Sequence, residues 1–72
     1  MLSFSLANNN QSIQITCDDA GLSQLVEVLT RLRDSGGHAH LWAPSCGGKV
    51  LSDVTPFGEP AIGEVIITHG GD

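Results

Sequence analysis

Only one stretch of this chain carries a helical period. Leu22, Leu25, Val26, Leu29 and Leu32 recur at i, i+3, i+4, i+7 and i+10, the spacing of one face of an α-helix, with Val28 widening the stripe. Asp18 and Asp19 precede it as N-cap oxygens, and Gly36-Gly37 follow it as a stop that accepts left-handed backbone. The pattern predicts a helix over 20–34. Glu27 and Arg31 form an i,i+4 pair, and Arg33 lies where the helix dipole favours a cation. In a chain of 72 residues, one amphipathic helix can bury its stripe only against a sheet. That single helix therefore sets the architecture.

The flanking segments supply the strands. Leu2, Phe4 and Leu6 alternate with Ser3 and Ser5, and Ile13, Ile15 and Cys17 alternate with Ser12, Gln14 and Thr16. Between them, ANNNQ is a turn composition, because Asn tolerates left-handed angles. The two runs predict an antiparallel hairpin with one apolar face. After the helix, 38–43 alternates again until Pro44, which cannot donate to a ladder. Gly47-Gly48 predicts a turn and 49–52 a short return strand. DVTPFGEP (53–60) is a loop, from which Phe57 is expected to fold back onto the core. IGEVIITH (62–69) predicts a last strand. Its Val65-Ile66-Ile67 run predicts cover on both faces, and Gly70-Gly71-Asp72 is expected to fray.

The expected order is thus β-β-α-β-β-β. The expected fold is α+β and two-layered: one amphipathic helix packed on one face of a four- or five-stranded mixed sheet, in one domain spanning 1–72. The helical crossover is long enough to set the second and third strands side by side in parallel.

One face of the sheet then stays uncovered by any helix. On the 38–43 strand, Ala39, Leu41 and Ala43 point to the core and His38, His40 and Trp42 point away from it. These three, with the apolar run of the last strand nearby, make an apolar patch with polar groups around it. Such patches mark association surfaces. His38, His40 and Trp42 are the candidate partner-binding residues, either for another protein or for a homodimer.

Composition narrows the partner. Three basic residues stand against eight acidic ones, a formal charge of −5, too few cations for a phosphate-binding patch. Nucleic acid is excluded as a partner, and a basic protein surface fits. No apolar run reaches the length of a membrane span, and MLSFSLANNN has neither the basic segment nor the apolar run of a signal peptide. A cytoplasmic location is expected, with two free thiols.

Two chemical alternatives involve the same region. His38 and His40, joined by His69 and Cys46, would make a metal site or a thiol-dependent enzyme. Zinc sites commonly build on C-x-x-C or H-x-x-x-H pairs, and neither spacing occurs. A nucleophilic Cys46 would need a base and an oxyanion hole, for which Gly47 and Gly48 amides are the available donors. Neither set of residues assembles a recognisable motif, so no catalytic residue, metal or cofactor is assigned, and a non-enzyme is expected.

The block H-x-H-L-x-x-P-S-x-G-G-x-x-L-S, here His38, His40, Leu41, Pro44, Ser45, Gly47, Gly48, Leu51 and Ser52, resembles a family of small bacterial immunity proteins from polymorphic toxin systems, immunity protein family thirty-two. The stretch before it, IQITCDDAGLSQLVEVLTRL, and the closing GEVIITH follow the same outline, so the likeness runs from Ile13 to His69. The resemblance implies a protein that neutralises a cognate toxin by binding it, and it carries no established binding residues. An acidic inhibitor suits the basic active site of a nuclease toxin.

Overall fold

A computed structural model of the chain describes residues 1–70; of the tail expected to fray, Gly71 and Asp72 lie outside the described residues. The elements are β1 (Leu2–Ala7), β2 (Ser12–Cys17), α1 (Asp19–Ser35), β3 (Gly37–Trp42), a 3-10 turn at Pro44–Cys46, and β4 (Glu64–His69). The fold is α+β, as the patterning predicts. Among the described residues no helix is long and apolar enough to cross a membrane.

The expected antiparallel hairpin forms, with Leu2 opposite Cys17 and Phe4 opposite Ile15. Its turn sets Asn8, Asn9 and Asn10 all at positive φ, and Gln11 N–H donates back to Ala7 O at 3.1 Å. Asp18 caps α1 by accepting from Gly21 N–H at 2.8 Å and also meets the Met1 ammonium at 2.5 Å. Gly36, at φ 70°, closes the helix by donating to Leu32 O. Gly21 permits the first strand to start against the helix: a Cβ there would lie 1.8 Å from Met1 O.

Where a single mixed sheet is expected, there are two separate two-stranded antiparallel sheets, β1-β2 and β3-β4, and β2 does not pair with β3. The segment after β3 accounts for the difference. Ser52 N–H donates to Leu2 O and Ile62 N–H to Phe4 O, at 2.8 and 2.7 Å, so an irregular stretch occupies the free edge of β1. The return strand expected at 49–52 is absent. The successive amides of Val50 and Leu51 both donate to Trp42 O, whereas in a ladder neighbouring amides point to opposite sides. Phe57 does not fold back and is exposed. Its turn is held instead by buried Thr55, whose hydroxyl accepts from the amides of Phe57 and Glu59.

The core lies where these pieces meet: Leu2, Phe4, Leu41, Ala43 and Leu51 are buried together, with Cys17, Leu25, Val28, Ile62, Val65 and Ile67 against them. The cover expected on both faces of β4 is likewise missing: among the described residues the strand pairs only with β3, and Ile66 is exposed. Ser3, on the face of β1 opposite Leu2 and Phe4, is buried too, and its hydroxyl has no hydrogen-bond partner among the described residues.

Candidate functional site

β3 is built from two interleaved sets of side chains. Ala39 and Leu41 face inward; His38, His40 and Trp42 are exposed on the other side, as the alternation requires. The rings stand in contact along the strand. His38 meets His40 edge-on, with centroids 5.1 Å apart and planes at 79°. His40 lies nearly flat on Trp42, at 5.1 Å and 14°.

β4 completes the face. Its register sets Thr68, Ile66 and Glu64 opposite His38, His40 and Trp42. Glu64 Oε2 accepts from Trp42 Nε1 at 2.7 Å and lies 3.2 Å from His40 Nδ1. One carboxylate oxygen thus holds the indole and faces the imidazole stacked on it. The rings are fixed while still exposed, so a partner that covers them orders few side chains on docking.

The backbone beneath this face is half used. Ala43 N–H donates to Gly63 O, which phases the ladder so that Gly37, Ala39 and Leu41 exchange hydrogen bonds with β4. The backbones of His38, His40 and Trp42 therefore face the other edge. Trp42 O is taken there by Val50 and Leu51. His38 and His40 face a groove of about 510 Å³ lined by Val28, Arg31, Leu32 and Val50, among others.

Glu64 is the residue that sequence reasoning missed. Nothing local distinguishes it; its role depends on β3 and β4 pairing across residues 43–63. The usable signal was the two-residue period of any strand, which sets Glu64, Ile66 and Thr68 on one face once the strands are aligned.

The alternative cluster does not assemble. His69 shares a strand face with Val65 and Ile67 and lies beside Gly36, on the side opposite His38 and His40. Cys46 is exposed in the 3-10 turn, its sulfur so close to Gly63 that a Cβ on that glycine would lie 2.7 Å away. Beside it, the Ser45 hydroxyl donates to Asp53 Oδ1 at 2.5 Å. Among the described residues no group of three or more His, Cys, Asp or Glu is placed to hold a metal ion.

Away from this face, the Asp18 carboxyl is held below its ordinary range. The Met1 ammonium, and then the Gly21 amide, hold its pKa below 3.8. Comparison with known proteins finds no matching family model, no matching curated protein and no matching solved structure.

Proposed function

We propose that this chain is a non-enzymatic protein-binding module that docks through the His38, His40 and Trp42 face. In keeping with the motif at His38–Ser52, we read it as an immunity protein that neutralises a cognate bacterial toxin in the cytoplasm by direct contact. The carrying observation is the stacked, exposed ring pair His40–Trp42, tied down by Glu64. A lone Trp in an ordered, solvent-facing position is the kind of group that dominates binding energy when a partner covers it. The formal charge of −5 favours a basic partner, drawn in by long-range attraction.

The test is co-expression with the product of the adjacent gene, read as growth rescue and as co-purification of a stoichiometric complex. Trp42→Ala, in a protein that keeps its helical signal, should then weaken the complex by at least ~2 kcal/mol, roughly thirtyfold in Kd. An unchanged affinity removes this face from the proposal. Absence of both toxicity and complex removes the immunity reading.

A further inference from the structure

The helix has a second face that its own sheet does not use. Gly21, Leu25, Val28 and Leu32 point to the core. Turned roughly a third of a turn from them about the helix axis, Asp19, Leu22, Val26, Leu29 and Arg33 form a straight ridge of about 21 Å. Its three apolar members are 51%, 53% and 46% exposed. The chain thus leaves open a continuous aliphatic strip of the kind that isolated surface residues do not make.

The order of residues on this ridge indicates what covers it. It reads acid, Leu, Val, Leu, base. Laid antiparallel on a copy of itself, Leu22 meets Leu29 of the second copy, Val26 meets Val26, and Asp19 meets Arg33 at both ends. The ridge is therefore complementary to itself in shape and in charge about one two-fold axis, the requirement of an isologous interface. Parallel alignment would instead set Asp19 against Asp19 and Arg33 against Arg33. Arg33 can reach a partner: among the described residues its side chain makes one exposed contact, 3.2 Å to the adjacent Asp34. Beside its C-terminal half, a groove of about 240 Å³ lined by Leu29, Leu32, Arg33 and Ile67, with Thr68 and His69, gives the incoming Leu22 a place to seat.

We propose that two copies of this chain associate through α1, with the Asp19-Leu22-Val26-Leu29-Arg33 ridges packed antiparallel about a two-fold axis near Val26. The helix lies on the inner side of β3-β4 and the His38-His40-Trp42 rings on the outer side. The dimer therefore leaves both ring faces free, and it does not depend on their having a binding role.

Sedimentation velocity across a concentration series tests this. The wild-type chain should pass from monomer to dimer as concentration rises. Val26→Arg sets two guanidinium groups against each other at the axis and should raise the dissociation constant at least about tenfold. Asp19→Arg and Arg33→Asp should each weaken association, and the two together should restore it to within about threefold of wild type, a rescue only the antiparallel register allows. All four positions altered or matched here are exposed, and far-UV circular dichroism checks that each variant stays folded. A wild-type chain that remains monomeric at every concentration overturns the proposal. So does a dimer that ignores Val26→Arg, one that Trp42→Ala dissolves instead, or a charge reversal without rescue.

Discussion

β1-β2 and β3-β4 are both six-residue antiparallel pairs, yet the chain uses them in opposite ways. β1-β2 is closed by a four-residue turn of three Asn and one Gln, and only one of its ends is anchored. Leu2 and Phe4 are buried, whereas Leu6, Ile13 and Ile15 on the same face extend past the helix into solvent. β3-β4 is closed by the long excursion of residues 43–63. Its inner face is anchored throughout its middle by Leu41, Val65 and Ile67, and its outer face is fixed by side-chain contacts of its own. The local hairpin thus leaves aliphatic surface loosely placed, and the distant pair presents an ordered polar-aromatic surface. Local pairing closes cheaply and leaves the ends free, whereas a pairing across a long loop forms only with enough contacts to offset the closure entropy.

This contrast can be broken along a single strand. Phe4→Ala should cost about 3–5 kcal/mol, enough to unfold a domain of this size, because the ring is only 7% exposed within the central cluster. Leu6→Ala, two residues on and 52% exposed, should cost less than ~1 kcal/mol. Urea denaturation of both variants measures the difference, and equal losses would mean that the far end of β1 is anchored after all.

The support of β3-β4 can be tested from the excursion. A Cβ at Gly48 would meet Trp42 Cβ at 2.3 Å and Trp42 O at 2.5 Å. Gly48→Ala should therefore cost roughly 1–3 kcal/mol by overpacking and should selectively speed amide exchange at Val50 and Leu51, whose N–H groups donate to that carbonyl. Uniform protection across those amides would show that the ribbon does not lean on the excursion.

The smallest effect concerns β1 and α1. Because Asp18 has a lowered pKa in the folded protein, its stabilising contribution is complete above the ordinary carboxyl range. It is lost as the pH falls below 3.8 and through the folded value. Asp18→Asn keeps a capping oxygen but cannot titrate, so its melting temperature should fall less steeply with acid than that of the wild type. Parallel curves would place the acid sensitivity elsewhere.

The same contrast governs what was legible in the sequence. The hairpin, its turn, the helix with both caps and the alternation of β3 are all dictated within a few residues, and all are read correctly from spacing and residue type. Three features are not. The second sheet is separate because amides of residues 50–62 take the edges where another strand was expected, and no local pattern encodes where an irregular segment lies. Glu64 acquires its place opposite Trp42 only through register with a distant strand. The stripe on α1 reads as one apolar face, but the sheet is too narrow to cover its width. Leu25, Val28 and Leu32 are taken into the core, and Leu22, Val26 and Leu29 are left outside.

Trp42 has one further consequence. The chain contains a single Trp and no Tyr, and that indole lies on the proposed docking face, stacked on His40 and bound to Glu64. Ultraviolet absorption and fluorescence above the phenylalanine range therefore come from that face alone. The site carries its own optical probe: a partner that covers the rings changes the emission directly, and unlabelled protein is enough to titrate the encounter.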